Sequence, residues 1–73
     1  MTDFNTAQYA FKNAVNLYND NNLNESIEQL NEILKIHPNH DKSLDLLGII
    51  YIKQNKADKA LKVINKSIEI NPD

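Results

Sequence analysis

The sequence predicts an all-α fold made of two helix-turn-helix units, and three observations lead to it. The 73-residue chain holds one glycine and two prolines, so little interrupts helices and the connections between them are short. The prolines, Pro38 and Pro72, stand 34 residues apart, which places an internal period first among the features to test. Between short polar breaks, apolar residues recur at helical spacing.

The elements follow in order. Ala7, Ala10, Phe11, Ala14, Val15, Leu17 and Tyr18 keep a helical spacing until "NDNN" at residues 19–22 breaks it. A second amphipathic run sets Ile27, Leu30, Ile33 and Leu34 on one face and Glu25, Glu28 and Glu32 on the other. "HPNHD" ends this run, because Pro38 pushes His37 out of the helical region. A third helix is expected from about Asp41 to Gln54 and a fourth from about Ala57 to Ile70. Asn21 and Asn55 sit in the two helix-to-helix turns. Asn is the usual substitute for Gly in the left-handed conformation that ends helices, and both are expected there. Asn22 with Glu25, and Asn55 with Asp58, have loose capping-box spacing for the helix that follows.

A shift of 34 residues lays "NNLNESIEQLNEILKIHPN" over "NKADKALKVINKSIEINPD". Asn21 meets Asn55, Asn31 meets Asn65, Ile36 meets Ile70 and Pro38 meets Pro72; Ile27, Leu30 and Leu34 meet Leu61, Ile64 and Ile68. In the second unit Leu44, Leu47, Gly48 and Tyr51 on one helix, Ala60 and Ile64 on the next, and a closing Pro72 follow a specific order of large, small and aromatic residues. In these residues the unit resembles the tetratricopeptide repeat family, with Leu44 where an aromatic residue is usual. The first unit, with Ala10, Asn13, Ala14, Leu17, Ser26, Leu30 and Pro38, resembles it more loosely. Asn13 at a usually apolar place suggests a terminal unit with a wetter outer face.

The resemblance implies one domain over residues 1–73, with repeats at 7–40 and 41–73, forming two stacked hairpins of four antiparallel helices in a short right-handed solenoid. It also places Ala14, Ser26, Gly48 and Ala60 where helices approach most closely. Gly48 within a helix costs about 1 kcal/mol against Ala, and close packing is the expected compensation.

Several function classes are disfavoured. A net charge of −2 argues against a basic nucleic-acid footprint. The absence of cysteine removes disulfides and thiolate zinc sites. The seven-residue apolar run "LLGIIYI", Leu46 to Ile52, is far short of the roughly 20 residues of a membrane span. "MTDFNTAQ" lacks the basic start and apolar core of a secretory signal, so a cytoplasmic protein is expected. His37 and His40 have only Asp41 beside them as a further ligand and read as a polar turn. "NES" at Asn24 and "NKS" at Asn65 fit the glycosylation pattern but fall in or at the start of helices, and read as accidental matches. There is no Gly-rich phosphate loop and no nucleophile–base pair, and neither an enzyme active site nor a cofactor is expected.

The function expected from the resemblance is protein–protein interaction through the concave surface lined by the first helix of each unit. Carried onto this sequence, the lining is Gln8, Phe11, Val15, Tyr18 and Asn19, then Lys42, Asp45, Ile49, Ile52 and Lys53. The chaperone-binding members clamp a carboxylate with Lys and Asn; here Phe11, Val15, Asp45 and Ile49 stand at the comparable places, so the clamp is absent and Asp45 would repel a carboxylate. An apolar floor with Lys42 and Lys53 near its edges suits an apolar peptide or an amphipathic helix. The alternative is that a further repeat or a second copy of the chain covers it.

The same shift also inverts charge: Glu25, Glu28, Glu32 and Lys35 fall on Lys59, Lys62, Lys66 and Glu69. These stripes either join unit to unit or molecule to molecule, or are ordinary solvated faces. Because about three repeats are usually needed for stability, the chain is expected either to be a fragment of a longer repeat protein or to self-associate. Self-association, as a homo-oligomer that includes an exchanged dimer, is favoured for the isolated chain. A self-assembly module and an arm attached to an enzyme domain outside this chain are the alternative functions.

Overall fold

The structure, a computed structural model, describes residues 3–72, with side chains from Thr6 onward. It holds four helices, α1 (Asp3–Asn19), α2 (Leu23–Ile36), α3 (Asp41–Lys53) and α4 (Ala57–Ile70), and no strand among the described residues. Two compact units result: Met1–Pro38, which carries α1 and α2, and Asn39–Asp73, which carries α3 and α4. α1 begins four residues before Ala7, since nothing in "DFNT" breaks a helix.

Each unit is an antiparallel hairpin, as its cross-helix hydrogen bonds show. In the first, the Asn13 amide donates to Gln29 (2.9 Å) and the Ser26 hydroxyl to the Ala14 carbonyl (2.8 Å). In the second, Ser67 donates to Asp45 (2.6 Å) and Asn71 to Asp41 (3.1 Å). Positions rise along one helix as they fall along the other.

The two turns are built alike. Asn21 (φ 66°) and Asn55 (φ 62°) both adopt the left-handed conformation expected of them. The Asn22 N–H reaches back to the Leu17 carbonyl and the Lys56 N–H to that of Tyr51, both at 2.8 Å. Asn21 and Asn55 each donate to the carbonyl three residues earlier, at 3.0 Å. This paired pattern satisfies the last carbonyls of a helix and reverses the chain.

The capping boxes expected at the same turns do not form. Neither Asn22 nor Lys56, the residues that precede α2 and α4, makes a side-chain cap hydrogen bond. Asn55 is already the left-handed residue that ends α3, so the N-cap falls one position later, on a lysine that has no acceptor. Asn22, at φ −88° and ψ 68°, lies outside the extended region from which a capping side chain works. α3 does have a cap: His40 Nδ1 accepts from the Ser43 N–H at 3.2 Å and lies 2.7 Å from the Ser43 hydroxyl.

In the first unit Ala7, Ala14, Ser26, Leu30 and Ile33 are buried; in the second, Ser43, Leu44, Leu46, Leu47, Gly48, Ile50, Ala60 and Ser67 are. Full burial of side chains such as Leu30, Leu47 and Ile50 contributes about 1.5–3 kcal/mol each relative to exposure. Gly48 sits where α3 and α4 approach closely. A Cβ there would lie 2.7 Å from Ile64 Cγ1 and 3.1 Å from Cδ1, so α4 could not keep its place against a larger residue without moving Ile64.

Candidate interaction surfaces

α3 is the helix whose sequence lacks a polar face, and its burial shows how that sequence is used. Within "LLGIIYI", Leu46, Leu47, Gly48 and Ile50 are buried and Tyr51 is half-buried. Ile49 and Ile52 are 47% and 58% exposed. At 100° per residue, Lys42, Asp45, Ile49, Ile52 and Lys53 fall within one stripe about 100° wide, and all five are exposed. Asp45 is a negative charge on this stripe, and its Oδ1 accepts from the Ser67 hydroxyl on α4 at 2.6 Å. The face is thus two exposed isoleucines with a lysine toward each end and Asp45 one turn from Lys42. Lys42 and Lys53 are about 16 Å apart along the axis at 1.5 Å per residue.

The corresponding stripe on α1 differs. Gln8 and Asn19 at its ends are exposed, while Phe11, Val15 and Tyr18 between them are half-buried. Both stripes lie on the first helix of a hairpin, and of the two only the α3 stripe carries exposed large aliphatic residues; elsewhere Ile36 on α2 and Leu61 and Ile68 on α4 are exposed as well.

The second helices carry the charges. Glu25, Glu28, Glu32 and Lys35 on α2, and Lys59, Lys62, Lys66 and Glu69 on α4, are all exposed. Glu32 and Lys35 are paired at 3.5 Å along their own helix. Lys59 lies over the Tyr51 ring, 5.8 Å from its centroid. A shallow depression beside the α2 stripe is lined by Leu17, Glu25, Glu28, Gln29, Asn31 and Glu32.

The histidine turn is engaged locally. His40 caps α3, and the Asn71 amide on Asp41 holds that carboxyl below the ordinary aspartate value of 3.8. The backbone N–H groups of Lys42 and Asp41 and the nearby His40 add to the lowering, while desolvation opposes it. Among the described residues no group of three His, Cys, Asp or Glu could hold a metal ion. No helix there is long and apolar enough to cross a membrane.

Three further features carry no signal in the sequence pattern of the two stripes. Tyr9 is 78% exposed and Ile36 63% exposed. A small apolar cavity of about 150 Å³ opens at the free end of the first hairpin, lined mainly by Ala7, Ala10, Ile33 and Ile36. Ala10 itself was the available signal for the cavity, because the 34-residue register puts it where the second unit has Leu44.

Residues 42–73 match the family model for the tetratricopeptide repeat. No curated protein matches the chain.

Proposed function

We propose that this chain, a tetratricopeptide repeat protein through its residues 42–73, is a non-catalytic interaction module that takes an apolar peptide or amphipathic helix along the α3 face. Ile49 and Ile52 carry the reading. They stand exposed on a helix whose other apolar residues are buried or half-buried, so the core does not account for them. In the family the first helix of a unit lines the binding surface, and α3 is that helix. The α1 residues Gln8, Phe11, Val15, Tyr18 and Asn19 form the corresponding stripe of the first unit, in which Phe11, Val15 and Tyr18 are half-buried.

Charge refines the ligand. Lys42 and Lys53 place a positive charge toward each end of the apolar strip, and Asp45, one turn from Lys42, keeps its negative charge while accepting from Ser67. The preferred segment carries apolar residues between acidic groups about 16 Å apart, roughly three helical turns. Fluorescence anisotropy with a labelled amphipathic peptide tests this. Flanking Glu should bind more tightly than flanking Lys by about tenfold in low salt. Ile49→Lys/Ile52→Lys should abolish binding of both, and binding indifferent to that change would contradict the reading.

A further inference from the structure

The charged stripes lie on α2 and α4 rather than on the helices of the proposed ligand surface, and their pattern carries a second reading independent of it. On α2 the charges fall at 25, 28, 32 and 35, and on α4 at 59, 62, 66 and 69. Each set has intervals of three, four and three residues, which keeps it within a strip about 80° wide on one side of its helix. All eight side chains are exposed, and every position has the opposite sign on the other helix.

The order of signs also fixes a direction. If the two helices lie parallel, Glu25, Glu28, Glu32 and Lys35 meet Lys59, Lys62, Lys66 and Glu69, giving four attractive pairs. If they lie antiparallel, Glu25 meets Glu69 and Lys35 meets Lys59, so two of the four repel. Like charges placed against each other select against the wrong partner more strongly than matched charges reward the right one. The depression edged by Glu25, Glu28 and Glu32 gives lysine side chains a place to lie. Ile36, 63% exposed and directly after Lys35, adds an apolar contact at the end of the stripe; its counterpart on α4 is the half-buried Ile70.

We propose that a second copy of this chain is the partner of these faces: α4 of one molecule lies parallel to α2 of the next, joined by the inverted stripes. The contact is heterologous, because two different surfaces meet. Each added copy therefore leaves an acidic stripe free at one end and a basic stripe at the other, and assembly runs head to tail rather than stopping at a symmetric dimer.

Sedimentation velocity on two charge variants and their mixture tests the proposal. Glu28→Lys/Glu32→Lys and Lys62→Glu/Lys66→Glu change only exposed positions and spare the first-turn residues, and circular dichroism will confirm that both fold. Wild type should associate in low salt and weaken about tenfold or more between 20 and 500 mM salt. Each variant alone should remain monomeric, since its own stripes now repel. Their equimolar mixture should associate as wild type does, because all four opposed pairs are then attractive at both types of contact. A wild type that is monomeric at low salt up to about 1 mM overturns the proposal, as does association unchanged in the single variants. A mixture that fails to associate also overturns it, because pairing within one chain cannot be rescued by adding a second molecule.

Discussion

Set against each other at a shift of 34 residues, the two hairpins share their turns and differ in what ties their helices together. The first is tied toward the turn, by Ser26 to Ala14 and Asn13 to Gln29. The second is tied toward its free end, by Ser67 to Asp45 and Asn71 to Asp41. Residues that form ties in one hairpin are mostly apolar in the other. Ser26, Asn13 and Gln29 correspond to Ala60, Leu47 and Val63; Ser67, Asp45 and Asp41 correspond to Ile33, Phe11 and Ala7. The shared backbone plan therefore rests on the left-handed asparagines, the apolar register and the prolines, while the polar ties are local and interchangeable. The first hairpin has a small cavity at its free end.

The comparison can be broken most forcefully in the core. Leu30 is fully buried and its counterpart Ile64 is half-buried. Leu30→Ala should cost about 3 kcal/mol in chemical denaturation, at the upper end of what a small domain survives, and Ile64→Ala distinctly less. Gly48 comes next. Gly48→Ala gains about 1 kcal/mol of helix propensity but drives a methyl into Ile64, for a net loss of about 1–2 kcal/mol. Combined with Ile64→Ala the two losses should be less than additive, because the second change removes the atoms the new methyl meets.

Ala10→Leu sharpens the contrast from the other side. It places in the first hairpin the side chain that Leu44 supplies in the second, fills the free-end cavity, and should raise stability by about 1 kcal/mol.

The smallest effect is electrostatic. Asp41 titrates below its ordinary value chiefly because Asn71 binds it. A lowered folded-state pKa gives stability that is present above pH 3.8 and is lost as the pH falls through the folded value. Asn71→Ala should move the Asp41 titration, followed by NMR, upward toward 3.8, and should flatten the acid limb of the stability profile.

Much of the fold is written in local signals. The sequence pattern predicts α3 and α4 at about 41–54 and 57–70, and they run over Asp41–Lys53 and Ala57–Ile70, because asparagine and proline end helices through backbone geometry that needs no tertiary context. The cross-helix ties were not legible. Asp45 lies 22 residues from Ser67 in sequence, and by spacing alone it is one more charge on the α3 stripe. The His40 cap was hidden for a different reason: the usual capping residues are Ser, Thr, Asp and Asn, and "HPNH" shows only a polar turn. Of the exposed apolar residues, Ile49 and Ile52 stand out because their neighbours already fill the second unit's core positions. Tyr9 and Ile36 do not, since an isolated apolar residue on a helix does not show which way it faces.

The central claim is that Ile49 and Ile52 belong to a binding face and not to the core. Thermal unfolding and peptide anisotropy on one preparation of Ile49→Lys/Ile52→Lys test it together. The account predicts a melting temperature within about 5 °C of wild type, as expected for exposed sites, with binding of the acid-flanked apolar peptide lost. A melting temperature lower by about 15 °C or more would return both residues to the core, and undiminished binding would place the ligand on another surface.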